Sequence, residues 1–147
     1  MFGQEKEGSL IGILDQTCCA PGARLLRKWI TQPLLNKEDI LKRQELVQIF
    51  FQKENIQTEI RDILNASYDM ERLISRLASQ RGNARDLKFL AKTIQSIQPI
   101  EDILTTIDHP SEYLQHILSS FKKELFMLGE KYNSILQDEL PLTIQEG

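Results

Sequence analysis

The balance of branched aliphatic residues constrains this chain more than any other feature of its sequence. The chain contains 21 leucines and 17 isoleucines but a single valine, Val47. Strands are enriched in β-branched and aromatic residues, and aromatic residues make up only 7% of the chain. Leucine is a strong helix former. The composition therefore predicts an all-α protein.

Length, charge and the distribution of apolar residues narrow the class of protein further. A chain of 147 residues fits one domain, and its 18 basic against 21 acidic residues give a net charge of −3. This balance excludes a uniformly basic nucleic-acid binder. No apolar run is longer than the five residues Leu10–Leu14, and the N-terminal region lacks the order of a signal peptide, so we expect a cytoplasmic protein without a membrane span.

Capping residues and apolar periodicity divide the first two thirds of the chain into helices. A short helix is expected over 10–15 behind Ser9, and a second one ends at Gln32-Pro33. Gly82-Asn83 combines a helix stop with a helix start. The longer helices are predicted at 20–31, at 37–53, on either side of a break at 65–67, and at 84–98. Pro99 is expected to end the last of these and to begin a further turn up to 107.

The last third of the chain carries a different repeat. Its apolar residues alternate steps of four and three, which is the heptad pattern of a helix that pairs lengthwise. This seam consists of Leu114, Leu118, Phe121, Leu125, Leu128, Tyr132 and Ile135. We predict one long helix over Ser111–Asp138, which would measure about 42 Å at 1.5 Å per residue. The fold class is therefore an elongated helical bundle with a long C-terminal lever helix.

Catalytic and nucleotide-binding patterns are incomplete. The nearest phosphate-loop pattern, Gly3 to Gly8-Ser9, lacks the lysine that reaches the phosphates. Cys18 and Cys19 are adjacent, which fits neither a disulfide framework nor a CxxC site, and no histidine lies near them to act as a base. We predict no catalytic and no cofactor-binding residue.

Metal ligands are equally sparse. His109 and His116 are the only histidines of the chain. Glu112 lies four residues before His116, so the side chains of Glu112 and His116 share one helix face. Two ligands do not make a metal site. A small metal-dependent enzyme that uses the histidines is one functional hypothesis. It is less favoured than the two hypotheses that are given below.

Charge is distributed unevenly along the chain. Residues 72–92 contain six basic residues and one acidic residue, whereas residues 101–147 contain three basic and nine acidic residues. Five of the basic residues fall on helix faces as a possible DNA-backbone contact: Arg72, Arg76, Arg85, Lys88 and Lys92. The alternative is that these side chains pair with acidic groups or are simply solvated. We call the five residues the basic ridge.

Several sequence blocks resemble one family. They are Gly8-Ser9-Leu10, Leu14-Asp15-Gln16-Thr17, Gly22-Ala23-Arg24-Leu25-Leu26-Arg27-Lys28-Trp29-Ile30, Gln32-Pro33-Leu34-Leu35, Ile40 with Arg43 and Val47, Asp69-Met70-Glu71-Arg72-Leu73, Ser75-Arg76-Leu77 and Ala84-Arg85-Asp86-Leu87. Together they resemble the core, or lever, region of MutS, the bacterial DNA mismatch-recognition ATPases. The chain has Cys19 and Pro21 where that family commonly has Thr and Met.

The composition, the apolar periodicity and the resemblance together predict a fragment with four parts. These are a flexible lead-in (1–9), a helical core region (10–110), the long lever helix (111–140) and the start of a connection to a missing clamp domain (141–147). In such proteins the core links ATPase domains to a DNA clamp, so the fragment would couple ATPase state to clamping without being an enzyme itself. The mismatch wedge and the ATPase motifs of the family lie outside these residues.

The resemblance also implies cofactors and partners, all through the parent protein. ATP and Mg²⁺ would bind the parent but not this fragment. The partners would be the remaining domains of its own chain, double-stranded DNA, a MutL-like protein and a second copy in a homodimer, with no membrane contact. The competing hypothesis from another class is a free-standing helical protein–protein interaction module.

Overall fold

The computed structural model describes residues 8–136, which form eight α-helices and, within that range, no strand. The helices are α1 (Leu10–Leu14), α2 (Ala20–Thr31), α3 (Lys37–Gln52), α4 (Glu54–Asn65), α5 (Met70–Ala78), α6 (Ala84–Thr105), α7 (Glu112–Ser120) and α8 (Lys123–Ile135). The all-α prediction is confirmed. The division into four domains stays a prediction, because residues 1–7 of its lead-in and all of 137–147 lie outside the described residues.

The capping residues that the sequence indicated do begin helices. The side-chain oxygen of Ser9 accepts from the Gly12 N–H at 3.1 Å. Asn36 caps α3 in the same way. Asn83 and Asp86 form a reciprocal capping box at the start of α6, so each satisfies a backbone N–H that the helix leaves unpaired.

Helix α6 lies at the centre of the bundle. It packs against α4, α5, α7 and α8, while α3 packs against α4 and α7. One buried cluster joins α4, the C-terminal end of α6 and α7 through Ile56, Leu104, Ile107 and Leu114. At the other end of α6, Ala91 and Ile94 are also buried.

Helices α6 and α8 approach each other closely at Gly129. A β-carbon at this position would lie 2.8 Å from Ile94 Cγ2 and 3.2 Å from Ile94 Cβ. No real side chain fits at those distances, so the glycine sets the spacing of the two helices. Gly129 was not identified from the sequence, because a single glycine within a helix carries no periodic signal.

The predicted end of a helix at Pro99 is wrong, because α6 runs through Pro99 from Ala84 to Thr105. Proline costs about 3 kcal/mol inside a helix. The turns on either side are anchored, since Ile94 and Leu104 are buried and burying such a side chain stabilises by about 1.5 to 3 kcal/mol each. Packing at both ends therefore outweighs the local preference, and the exposed proline is carried within the helix.

The single long lever helix is also wrong. The chain leaves the helical conformation at Phe121 and Lys122, whose ψ angles are 121° and 125°, and this break separates α7 from α8. The hydroxyls of Ser119 and Ser120 donate to the preceding backbone carbonyls, an interaction that weakens and bends helices. The bend also lets Phe121 pack against the buried cluster.

The heptad seam accordingly does not stay on one buried face. Leu114 is 1% exposed, but Leu128 is 42% and Ile135 64% exposed. Helix α7 contacts α3 and α6, whereas α8 packs mainly on α6, so the two parts have different partners. The face of α8 that packs is the one that contains Gly129.

The corner between α5 and α6 differs in detail from its prediction. The left-handed residue that ends α5 is Gln80, at φ 57°, rather than Gly82. The Arg81 N–H donates to the Arg76 carbonyl at 3.0 Å and the Gln80 N–H to the Leu77 carbonyl at 3.1 Å, which together form a Schellman motif. Gly82 is needed for a close approach instead, since a β-carbon there would lie 2.8 Å from Leu77 Cδ2.

Candidate functional site

The structure places the basic ridge on two helices that pack together. Arg72 and Arg76 lie on α5, and Arg85, Lys88 and Lys92 lie on α6. Arg72, Arg76 and Lys92 are exposed and Arg85 is half-buried, but Lys88 is only 5% exposed. The side chains therefore do not form one continuous solvent-facing surface.

Arg76 has an acidic partner within the chain. Its Nη2 lies 3.1 Å from Asp86 Oδ2, and the Asp86 side chain is only 10% exposed. Asp86 also accepts from the Asn83 N–H in the capping box of α6. The pair thus ties the last turn of α5 to the first turn of α6 and offsets one positive charge of the basic ridge.

A second charged cluster joins two of the blocks that carried the family resemblance. Arg24 of α2 donates to both carboxylate oxygens of Asp69, at 2.7 and 2.9 Å, and its Nη2 lies 2.7 Å from Glu71 Oε2. We call Arg24, Asp69 and Glu71 the ionic cluster. The Asp69 side chain also caps α5 by accepting from the Arg72 N–H.

The pairing of Arg24 with Asp69 shifts the pKa of both groups. Hydrogen bonds from Arg24 hold the pKa of Asp69 below its usual value, against a smaller opposing effect of desolvation. The same hydrogen bonds raise the pKa of Arg24. Sequence reasoning missed this cluster, because Arg24 and Asp69 are 45 residues apart and nothing local pairs them. Their presence in two family-like blocks was the only available signal.

Aromatic side chains also join α2 to α3 and the loop before α5 to α6. The guanidinium carbon of Arg43 lies 3.8 Å from the ring centroid of Trp29, which is a cation–π contact between α3 and α2. Tyr68 and Phe89 stack with centroids 4.2 Å apart, and the Tyr68 N–H donates to Thr93 Oγ1 at 3.1 Å. The loop before α5 is thus held on α6.

An apolar groove runs between α3 and α4. It has a volume of about 710 Å³, and its lining includes Val47, Phe50, Phe51, Ile60 and Leu64. Phe51 is 80% and Val47 58% exposed.

The residues weighed for catalysis are not assembled into a site. Within residues 8–136, no three His, Cys, Asp or Glu side chains come together as metal ligands. Glu112 and His116 line an open cleft of about 450 Å³ with Lys42 and Arg43. Cys18 and Cys19 are free thiols, both half-buried. In the described part of the chain, no helix combines the length and apolar character of a bilayer span.

Comparison with known proteins connects this architecture to a family. The family model for MutS domain III matches residues 2–147. This chain belongs to the MutS domain III family. The match includes the ionic cluster, the basic ridge and all eight helices.

Curated relatives agree with the family assignment. The chain is 38% identical over 146 residues to the DNA mismatch repair protein MutS of Streptococcus gordonii, with 97% of the chain covered. It is 36% identical to the protein of that name from Oceanobacillus iheyensis and 33% identical to the one from Clostridium tetani, with 98% covered in both cases. The chain spans 16% of the length of each of these relatives.

Proposed function

We propose that this MutS domain III chain is the core segment of a DNA mismatch repair protein, where it couples ATPase state to DNA clamping. The observation that carries the proposal is the family match over residues 2–147. ATP and Mg²⁺ would bind elsewhere in the parent. Its other domains, double-stranded DNA, a MutL-like protein and a second parent copy would be the partners, in the cytoplasm.

The length and packing of α6 support the coupling proposal. Two sites bias each other when a rigid element with two arrangements connects them. Helix α6 has 22 residues, which is about 33 Å at 1.5 Å per residue, and four other helices pack against it. We therefore assign the lever to α6 with α8 alongside, rather than to the 111–140 segment alone.

The coupling proposal is tested in the full-length parent protein. Leu125→Glu places a charge on the half-buried part of α8. We expect ATP binding and DNA binding each to remain measurable, while the ratio of DNA affinities with and without ATP moves toward one. Glu130→Ala, at an exposed position of the same helix, is the control and should leave the ratio unchanged. An unchanged ratio in a folded Leu125→Glu protein would refute the assignment of the lever.

We further propose that the exposed part of the basic ridge contacts the DNA backbone. Such contacts are independent of base sequence and weaken steeply with salt. The double variant Arg72→Ala with Lys92→Ala should lower the slope of log affinity against log salt by about two. Lys123→Ala on α8 is the control. The 147-residue chain alone should bind weakly and should not distinguish a G·T mismatch from matched duplex; a preference for the mismatch would contradict this proposal.

The alternative function, a free-standing protein–protein interaction module, is favoured by the groove between α3 and α4. The exposed Phe51 and Val47 provide the apolar anchors that such a module uses. The two functions differ in the Phe51→Ser variant. A free-standing module would lose its partner and keep its own thermal stability, because Phe51 is exposed in the chain. A core segment would lose thermal stability of the parent protein, where another domain would cover Phe51. Thermal unfolding of the parent and its variant separates the two.

A further inference from the structure

Helices α1 and α2 are attached to the bundle differently from the other six. Neither contains a buried residue, and no residue of either packs against the buried cluster; α3 also lacks a buried residue, but three of its apolar side chains pack against that cluster. Leu25 of α2 is 49% exposed, and Ile13 of α1 is 69% exposed. By contrast, Ile94, Leu104 and Leu114 in the rest of the bundle are exposed by no more than 5%. The segment 8–31 is therefore outside the buried core.

Three arginine side chains take part in contacts between this segment and the rest of the bundle. Arg24 makes the bidentate pair with Asp69 and the contact with Glu71. Arg61 Nη1 donates to the Gln16 carbonyl at 3.0 Å, in the loop between α1 and α2. Arg43 lies over the ring of Trp29. The apolar residues of α2 that face the bundle are only half-buried.

The Asp69 pair is the best placed of these contacts. The Asp69 side chain is 20% exposed, and two parallel hydrogen bonds fix the guanidinium in its plane. Glu71 is 76% exposed, so solvent screens its share of the attraction strongly. Arg24 is thus held mainly by Asp69, at the first turn of α5.

We propose that α1 and α2 form a releasable arm and that the ionic cluster of Arg24, Asp69 and Glu71 is the latch that holds it on α5. The buried residues of the bundle all lie outside the arm, so its opening leaves α3 to α8 folded. This inference concerns the chain itself and does not depend on the proposed function.

Hydrogen exchange of the 147-residue chain tests the latch. Arg24→Gln removes the charge and the bidentate pair. We expect amides of α2 to exchange about two- to fivefold faster, the range typical of an exposed ion pair, with α6 unchanged. Arg27→Gln is the matched control: Arg27 is exposed in the same helix, and none of the ion pairs described for residues 8–136 includes it.

Trp29 gives an independent measurement, because it is the only tryptophan of the chain and lies in the arm. Its emission should shift to the red in Arg24→Gln and not in Arg27→Gln. Asp69→Asn separates the latch from the helix cap, since asparagine is an equally good N-cap but carries no charge. It should reproduce the Arg24→Gln result without lowering protection in α5.

Salt provides a test that needs no variant. Raising the ionic strength should accelerate exchange of α2 in the native chain but have no further effect in Arg24→Gln. The proposal is overturned if Arg24→Gln leaves both α2 exchange and Trp29 emission unchanged. It is also overturned if α2 and α6 lose protection together, because the arm would then unfold only with the whole bundle.

Discussion

Helix α6 and the α7–α8 pair both differ from what their local sequence predicts. Helix α6 is continuous where an interruption is expected, and the α7–α8 pair is interrupted where a continuous helix is expected. Helix α6 contains a proline and stays continuous, whereas α7 and α8 share an unbroken heptad pattern and are interrupted at Phe121. The difference lies in the packing partners: α6 is anchored on both sides of Pro99, while α7 and α8 pack in different surroundings. Continuity is thus decided by what the flanking turns contact.

A large effect is expected where α8 meets α6. Gly129→Leu should destabilise the chain by about 3 kcal/mol, because the new side chain overlaps Ile94 and overpacking of this kind is costly. The free energy of unfolding in urea measures it. Glu130→Leu, at an exposed neighbouring position, should change stability by less than about 0.5 kcal/mol. Equal effects of the two substitutions would mean that α8 does not pack on α6 through Gly129.

The next effect concerns the continuity of α6. Pro99→Ala should stabilise the chain by about 2 kcal/mol, since proline costs about 3 kcal/mol in a helix and its rigidity returns up to about 1 kcal/mol through the unfolded state. Pro33→Ala, in the exposed loop after α2, is the control and should slightly destabilise. Loss of stability in Pro99→Ala would show that α6 is interrupted at this proline.

The break between α7 and α8 predicts the sign of the stability change that an aspartate at position 122 causes. Lys122 precedes α8 without a side-chain cap, so Lys122→Asp should stabilise by about 1 kcal/mol as a new N-cap. In an unbroken helix the same aspartate would be destabilising by up to about 0.7 kcal/mol. Lys122→Ala reports any loss of its own contacts. Thermal unfolding of the three chains decides between a broken and a continuous helix.

The smallest effect is expected at the end of the heptad seam. Ile135→Gln should change stability by less than about 0.5 kcal/mol, because Ile135 is 64% exposed. Leu114 belongs to the same seam but is 1% exposed, so Leu114→Ala should cost about 2 to 5 kcal/mol. Similar costs at both positions would restore the continuous seam that the sequence suggested.

Local signals in the sequence were sufficient for most of the helices. The caps at Ser9, Asn36 and Asn83 and the stop at Gln32 each depend on residues within one turn of the helix end. The outcome at Pro99 depended on distant contacts, and the break at Phe121 depended on distant contacts as well as on the neighbouring Ser119 and Ser120. Helix periodicity was therefore a good guide to where helices occur and a poor one to whether they continue.

The candidate surfaces were predictable to a lesser degree. Charge spacing located the basic ridge on two helices, but it could not show that Lys88 is buried or that Arg76 pairs with Asp86. The ionic cluster needs α2 and α5 to be adjacent, and that adjacency is a property of the tertiary fold. Residue types were readable from the sequence, whereas their partners were not.

The corner between α5 and α6 has a consequence for the order of folding events. Its hydrogen bonds, from the Arg81 N–H to the Arg76 carbonyl and between Asn83 and Asp86, join residues no more than five positions apart. Such short loops close with little entropic cost, so this corner is expected to form in the rate-limiting step, before α8 docks. Gly82→Ala should then slow refolding, and Gly129→Ala should instead accelerate unfolding, as the two arms of a chevron plot would show.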